Sequence, residues 1–290
     1  MKYKAEKDNK AWLLLLPALL CIGVFNIYPL IRSFVMSFKS SDLFESKFVG
    51  FENFLYIVKD PLFINALKNT AIYAVTVVPL GMIISMLIAL VINSKIKGSK
   101  FYETVFFIPY MTSVIAIGIV FRYLLNGDYG IINYILNLIG IKSIDFLNDP
   151  SKNLIALIIF GIWSSLAFNI IILLSGLRSI DKTYYKVADM LGASKTEIFF
   201  KVTLPFLIPV ITFLLITNFI SAFKVYSQIF SLFNGKAGIG NSAVSLVFYI
   251  YNKFYVESRY GQAMAAAVIL FIFLIVITII ERKILKKLSK

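Results

Sequence analysis

The sequence of 290 residues contains no histidine, a single cysteine and 15 acidic residues against 29 Lys and Arg. Because Cys21 is the one cysteine, no disulfide can form within the chain, and without histidine no His/Cys metal cluster can be built. The long apolar runs also lack apposed carboxylates, which ion-coupled carriers usually place near the middle of the membrane. We therefore predict no metal site and no catalytic residue.

A nucleotide-binding signature is missing as well, since the sequence has no Gly-x-x-x-x-Gly-Lys-Ser/Thr run. The chain is therefore not expected to bind and hydrolyse ATP in that manner. A membrane-embedded enzyme is the competing class, but it would need a general base or metal ligands that the apolar runs do not offer. We predict that the chain is not an enzyme, and that Cys21, inside the first apolar run, is a buried structural thiol.

Apolar residues are abundant instead: 59% of the sequence is hydrophobic and the mean hydropathy is +0.85. Runs of roughly 18 to 25 apolar residues can cross a hydrocarbon core of about 30 Å as helices. We predict an all-α, multi-pass membrane protein in which residues 1–290 form a single unit. The six transmembrane helices are predicted at about 11–36, 70–93, 103–123, 153–177, 204–226 and 261–281.

The net charge of +14 is concentrated on alternate connections between these helices. By the positive-inside rule, the densely basic connections and both termini lie in the cytoplasm. The excess charge is thus a topology signal that also attracts anionic membrane lipid, and nucleic acid is not an expected partner. The residues that carry the signal are Lys2, Lys4, Lys7, Lys10, Lys95, Lys97, Lys100, Arg178, Lys182, Lys186, Lys195, Lys201, Arg282, Lys283, Lys286, Lys287 and Lys290.

Residues 181–203 carry more local signals than a simple connection needs. Asp181 is placed as a helix N-cap, and Gly192 stands where a helix would end in a left-handed residue. Ser194 and Glu197 form the pattern of a capping box, which starts a second short helix expected to end at Pro205. Between the first two signals runs an apolar stripe at helical spacing. It consists of Tyr184, Val187, Ala188 and Leu191.

This stripe has two interpretations. It could lie on the membrane surface as an interfacial amphipathic helix. Its small and medium side chains, however, make a poor lipid anchor and favour a close fit into the cleft of a cytoplasmic partner.

The same residues resemble a loop of permease subunits in ABC importers, whose usual form is Glu-Ala-Ala-x-x-Asp-Gly-Ala, then Phe and Leu-Pro. Here Lys186 replaces the Glu and Leu191 replaces the Asp. The resemblance therefore implies the docking shape of that loop rather than a charge-specific contact. The residues that agree with the pattern are Ala188, Gly192, Ala193, Phe200, Leu204 and Pro205.

Further short matches, in matching order and spacing, extend the resemblance over nearly the whole chain. They are similar to carbohydrate-type permeases related to the maltose and glycerol-3-phosphate importers. The matches are Leu16–Ala18, Tyr28–Pro29, Phe48–Phe54, Phe107–Pro109, Asn126–Gly130 and Gly161–Trp163.

The resemblance implies a MetI-like permease fold in a bacterial cell membrane. It also implies four kinds of partner: a second homologous permease subunit, two cytoplasmic ATPase subunits, an extracytoplasmic solute-binding protein and a sugar. ATP and Mg²⁺ would bind on the ATPases, so no cofactor is expected on this chain. Residues 181–203 would be the coupling loop. Its contacts with an ATPase would be Tyr185, Lys186, Ala188, Asp189, Gly192 and Ala193.

Polar residues within the fourth and fifth predicted helices, or just after the fifth, are candidates for lining a sugar pathway. Amide, hydroxyl and aromatic groups suit a sugar, although Ser and Asn also commonly form hydrogen bonds between membrane helices. The candidates are Gly161, Trp163, Ser165, Asn169, Asn218, Ser221, Tyr226 and Gln228.

The sequence thus predicts a permease subunit that forms half of the translocation pathway for a sugar or oligosaccharide. One alternative is the same type of permease for a glycerol-phosphate or other polyol. The other, from a different class, is a non-transport membrane scaffold whose basic loop recruits a partner other than an ATPase.

Overall fold

The computed structural model describes residues 9–40, 47–94 and 98–288. These residues are all-helical, apart from one isolated bridge between Lys39 and Phe48. The helices are α1 Asn9–Ile22, α2 Tyr28–Ser37, α3 Glu52–Lys59, α4 Pro61–Asn93, α5 Ser99–Met111, α6 Val114–Leu124, α7 Ile131–Leu138, α8 Pro150–Ser179, α9 Lys182–Met190, α10 Lys195–Ile198, α11 Leu204–Phe223, α12 Ser227–Leu232, α13 Leu246–Tyr251 and α14 Tyr260–Leu288. Turns of π-helix at Gly23–Ile27 and Phe199–Thr203 join neighbouring helices, and a third at Asn252–Val256 follows α13.

Five helical segments of the described chain are long and apolar enough to cross a membrane, and a bent pair, α5 with α6, could form a sixth. The five segments are Trp12–Ser37, Pro61–Asn93, Pro150–Ser179, Lys195–Phe223 and Tyr260–Ile284. The orientation of the chain in the membrane stays a prediction. Several lysines behind it, Lys2, Lys4, Lys7, Lys95, Lys97 and Lys290, lie outside the described residues.

The helix predicted at 103–123 is two helices, because α5 and α6 meet at 102°. Pro109 has no N–H for the carbonyl four residues earlier, which weakens the last turn of α5. Thr112 and Ser113 then take extended backbone, and α6 begins at Val114. The bend therefore follows the proline by one helical turn.

The chain divides into two compact units, the first made of Met1–Asp60 and Ile250–Phe271. In this unit the Asn53 amide donates to the carbonyls of Ser37 and Lys39, at 2.9 and 2.8 Å, and so holds the reversal after α2. Lys253 is only 5% exposed, and its ammonium lies 2.7 Å from Glu257 and 3.5 Å from Asp60. A buried lysine is stable here because two carboxylates compensate its charge.

The expectation of a buried thiol at Cys21 is wrong. The cysteine is exposed, as are the other side chains described on α1. Membrane helices can leave such apolar side chains facing lipid, so an apolar run alone does not imply a packed core.

The second unit comprises Pro61–Tyr249 and Ile272–Lys290, and its core lies among α4, α8 and α11. Glycine lets these helices approach closely: a Cβ on Gly161 of α8 would collide with the ring of Tyr73 on α4. The buried core side chains are Met82, Ala89 and Ile92 from α4, Ile170, Leu173, Leu174 and Leu177 from α8, and Leu207 and Leu214 from α11.

A fully buried asparagine at the start of α8, Asn153, ties two loops of the second unit together. Its Nδ2 donates to the carbonyls of Phe146 and Leu147, at 3.1 and 2.9 Å. Its Oδ1 accepts from the Ile239 amide and the Ser242 hydroxyl, at 2.8 and 2.7 Å. One side chain thus satisfies polar groups of two irregular segments, one that lies 6 and 7 residues before Asn153 and one that lies 86 to 89 residues after it.

Two other buried side chains serve the same purpose. The Asn69 amide of α4 donates to the carbonyls of Ser242 and Val244, at 2.9 and 3.1 Å. Asn133 of α7 donates to the Ile144 carbonyl at 2.9 Å and accepts from its amide at 2.8 Å. Irregular backbone beside the helices is therefore bonded within the protein rather than left to solvent.

Asn153→Ala should lower the stability of the folded protein by about 3 kcal/mol, because it leaves buried carbonyl and N–H groups without partners. The measurement is the midpoint of thermal unfolding in detergent. Asn137→Ala is the matched control, since its amide bonds the hydroxyl of Ser143 at an exposed position. A midpoint that falls equally in both variants would contradict the role assigned to Asn153.

Candidate functional site

Loop 181–203 begins with a well-formed helix. As predicted, Asp181 is the N-cap of α9, and its carboxylate accepts from the Thr183 amide at 2.8 Å. This bond, together with a second one from the Thr183 side chain, lowers the pKa of Asp181 from its ordinary value. Asp181 therefore stays ionised at the positive end of the helix.

The predicted glycine turn is also confirmed. Gly192 has a φ of +73°, and a Cβ placed there would meet no other atom within 4 Å. The Gly192 amide donates to Asp189 and the Ala193 amide to Ala188, both at 3.0 Å. These two bonds are the paired bonds of a Schellman motif, which satisfies carbonyls at the end of α9.

The second helix starts at the predicted capping box. The Ser194 amide donates to the Glu197 carboxylate at 3.0 Å, and the Glu197 amide donates back to the Ser194 hydroxyl at 3.3 Å. Lys201 adds an ion pair to Glu197 at 3.1 Å.

The expected helix end at Pro205 is wrong. A π turn at Phe199–Thr203 joins α10 to α11, and the Leu204 amide bonds the carbonyl of Phe199. Pro205 therefore lies inside a continuous helical segment, just after the π turn. The loop therefore passes into α11 without a break.

Two aromatic side chains of α9 contact the π turn Phe199–Thr203 and α11. The Tyr185 hydroxyl lies 3.2 Å from the hydroxyl of the buried Thr203. The ring of Tyr184 lies 4.7 Å from the ring of Phe206. Tyr185, which the sequence placed among the partner contacts, is thus partly buried against the chain's own core.

The opposite side of the loop is open. Val187 is 49% exposed and Leu191 81% exposed, and Ala188 between them is partly exposed. These residues, with Tyr184 and Val202, line a shallow groove, and no other described segment covers it. Lys186, Asp189 and Gly192 are exposed as well, while Ala193 is partly buried.

A cavity of about 370 Å³, the central cavity, lies among α4, α5, α8, α11 and α12 in the second unit. Its lining, all of it within the described residues, contains hydroxyl, amide and aromatic groups and no charged side chain. The lining residues are Tyr73, Val77, Val78, Tyr110, Gly161, Ser164, Ser165, Phe168, Thr217, Asn218, Ser221, Ala222 and Gln228.

The structure brings most of the predicted pathway residues to this cavity. Five of the eight line it: Gly161, Ser165, Asn218, Ser221 and Gln228. The other three, Trp163, Asn169 and Tyr226, lie behind or beside it.

Asn169 is buried and accepts a hydrogen bond from the amide of Asn218 at 2.8 Å, which joins α8 to α11 directly behind the cavity. Trp163 packs against Phe121 with ring centroids 5.2 Å apart. Tyr226 packs between Phe230 and Phe248. These three residues therefore support the helices around the cavity rather than line it.

Sequence reasoning missed the contributions of α4 and α5. Tyr73 and Tyr110 line the cavity from these helices, and Tyr110 stacks on Phe168 with ring centroids 5.8 Å apart. Each is a tyrosine within an otherwise apolar run, which is a weak signal for a polar surface.

Comparison with known proteins agrees with this geometry. Residues 77–290 match the family described as binding-protein-dependent transport system inner membrane component. The chain is 32% identical over 275 residues to the lactose transport system permease protein LacF of Rhizobium radiobacter, covering 93% of this chain and 92% of LacF. It is 33% identical over 272 residues to the arabinooligosaccharides transport system permease protein AraP of Halalkalibacterium halodurans, covering 93% and 85%.

A solved structure shows the same fold. It is a chain of a bacterial alginate ABC transporter in complex with an alginate pentasaccharide-bound periplasmic protein. The TM-score is 0.85 and the identity 25%, with 98% of this chain and 96% of that chain covered. These findings confirm the family resemblance and the location in the inner membrane. The chain belongs to the binding-protein-dependent transport system inner membrane components, a family of transporter permease subunits rather than catalytic enzymes.

Proposed function

We propose that this chain forms half of the translocation pathway of an ATP-driven importer for a sugar or oligosaccharide. The observation that carries the proposal is the uncharged lining of the central cavity. Its hydroxyl and amide groups can exchange hydrogen bonds with sugar hydroxyls, and Tyr73, Tyr110 and Phe168 supply apolar faces. LacF and AraP, to which the chain is similar, are named for lactose and arabinooligosaccharides.

The same lining argues against a phosphorylated polyol. Phosphate groups in proteins are bound by Arg, Lys or helix N-termini, and no Arg or Lys lines this cavity among the described residues. A neutral sugar needs no such partner. The scaffold alternative gives no reason for a polar cavity inside an otherwise apolar helix core.

The coupling loop, residues 181–203, would transmit movements of an ATPase to the helices around the cavity. We infer that its open groove at Val187, Ala188 and Leu191 receives a cytoplasmic ATPase subunit, on which ATP and Mg²⁺ bind. Lys186, Asp189, Gly192 and Ala193 would border this contact, whereas Tyr185 would hold the loop to Thr203.

A push on this loop would act on two of the helices that line the cavity, α8 and α11. The loop follows α8 and runs into α11 without a break, and Asn169 and Asn218 bond the two helices further along. The Schellman motif and the capping box keep the loop rigid enough to transmit a displacement. Alternating access would then follow from rigid-body movement of α8 and α11.

The proposed assembly contains a second homologous permease subunit, two ATPases and an extracytoplasmic binding protein. In it both termini and the coupling loop face the cytoplasm. The test is to reconstitute the assembly in liposomes and measure ATP hydrolysis over a panel of sugars. We expect hydrolysis to rise only when a sugar and its binding protein are both present. Crosslinks from the coupling loop that reach lipid but no ATPase would refute the proposal.

Gly192→Asp should leave the subunit folded and assembled but reduce the coupling of hydrolysis to sugar uptake by about tenfold or more. Asp tolerates a left-handed backbone at a cost of about 1 kcal/mol, so the main effect is a charge and bulk in the proposed interface. The measurement is the ratio of sugar taken up to ATP hydrolysed.

Gly98→Asp is the matched control for this variant. Gly98 also has a left-handed φ, +86°, and open space at its Cβ, but it lies outside the coupling loop. Unchanged coupling in Gly192→Asp, or an equal loss in both variants, would contradict the role of the loop.

Gln228→Leu should reduce sugar uptake by about tenfold, because it replaces an amide in the cavity lining by an apolar group of similar size. Basal ATP hydrolysis should stay unchanged. Gln262→Leu is the control, since Gln262 is also partly buried but does not line the cavity. Equal uptake by the two variants would show that Gln228 does not contact the sugar.

A further inference from the structure

A second cavity, the loop pocket, lies at the other end of α8 from the coupling loop. It has a volume of about 410 Å³ and lies between the end of α6 with its following loop, the segment before α8, and the segment that follows α12. Its polar lining includes Arg122, Asn126, Asn148, Asn234 and Lys236, with Tyr123 and Tyr129 as aromatic walls. The coupling loop begins after the 30 residues of α8, a helix about 45 Å long.

Hydrogen bonds of two asparagine side chains hold the loop pocket in shape. Asn153 bonds Leu147 from one side of the pocket and Ile239 from the other. Gly238 is required there, because a Cβ on it would collide with the Asn153 side chain, and its φ is +77°. Asn126 accepts from the amides of Asp128 and Tyr129, at 2.9 and 3.2 Å, which fixes the turn beneath Tyr129. The two cations of the pocket are therefore presented by segments with fixed backbone.

The charge of the lining is positive. Arg122 is partly buried and Lys236 exposed, and no carboxylate lines the pocket within the described chain. Neither cation has an ion pair among the described residues. Of the two acidic side chains beside Asn148 in sequence, Asp145 accepts from the Asn148 side-chain amide at 3.2 Å, and Asp149 accepts from the Ser151 amide at 2.8 Å. An arginine and a lysine beside amide groups form a suitable receptor for a carboxylate.

The contrast with the central cavity indicates where such a carboxylate would come from. A negatively charged solute would need its charge compensated in the pathway, and this chain's half of it, the central cavity, offers no cation among its described lining residues. The anion that matches the loop pocket is therefore one that stays outside the pathway.

We propose that the loop pocket receives a carboxylate side chain of the extracytoplasmic binding protein and so helps to position that protein over the permease. This inference rests on the proposed function, which supplies the binding protein as a partner. The attraction between the unpaired cations and an acidic side chain increases the rate at which the binding protein associates with the permease, and it fixes the orientation of the binding protein. Added salt weakens this attraction. The pocket therefore controls docking, while the central cavity contacts the sugar.

The test uses the complete reconstituted importer and the binding protein that stimulates the wild-type assembly. Sugar-stimulated ATP hydrolysis is measured against binding-protein concentration for wild type, Arg122→Glu, Lys236→Glu and the control Lys142→Glu. Lys142 is exposed on the loop after α7 and does not line the pocket. At low salt we expect the half-saturating concentration to rise about tenfold in the two pocket variants and to stay unchanged in the control. The maximal rate should be preserved.

Two further arms separate docking from loss of structure. Arg122→Lys, which keeps the charge, should retain most of the wild-type affinity, and the difference between wild type and Arg122→Glu should shrink at high salt. A lysine substituted for one surface carboxylate of the binding protein should restore the affinity of Arg122→Glu. Thermal unfolding midpoints confirm that the variants fold.

Half-saturating concentrations that are equal in wild type and both reversal variants would overturn the proposal. So would a change in sugar preference without a change in binding-protein affinity, which would make the pocket a solute site. If no binding protein stimulates the wild-type assembly, the proposed function itself fails. That result is distinct from stimulation that the variants do not alter.

Discussion

The structure depends on one constraint: polar backbone outside the helices must find hydrogen-bond partners inside the protein, because the packed segments shield it from water. Asn153 meets this constraint for two loops at once, with four hydrogen bonds from one buried side chain. Asn69 and Asn133 meet it for neighbouring segments. A loop bonded in this way is fixed relative to the helices, so the pocket between the loops keeps its shape.

The other end of α8 meets the same constraint locally. In the coupling loop the backbone is satisfied by an N-cap, a Schellman motif and a capping box, all made from residues of the loop itself. The described ring contact that attaches the loop to α11 is that of Tyr184 on Phe206. The loop is thus rigid within itself and open on one face, which suits an element that a partner holds. Between the two ends, α8 and α11 line the central cavity and are joined by Asn169 and Asn218.

Much of this could be predicted from local sequence. The N-cap at Asp181, the left-handed Gly192 and the box of Ser194 with Glu197 are decided by neighbours within a few residues. The expectation at Pro205 failed because a π turn shifts the bonding pattern before the proline, and no short-range rule signals such a turn. The expectation that Cys21 is buried failed because apolar composition does not distinguish a side chain that faces lipid from one that faces protein.

The sequence by itself determined the long apolar helices, the start and the glycine turn of the coupling loop, and the family of the chain. It did so because hydropathy, capping and glycine conformation act over one or two helical turns. Only the tertiary structure decided which polar residues share a surface. It brings Gln228 and Tyr73 to the lining of one cavity and packs Trp163 on Phe121, outside that lining. It also brings Arg122 and Lys236 to the lining of the loop pocket. Such pairs are far apart in sequence, and their approach depends on how α4, α8 and α11 pack, which no local pattern encodes.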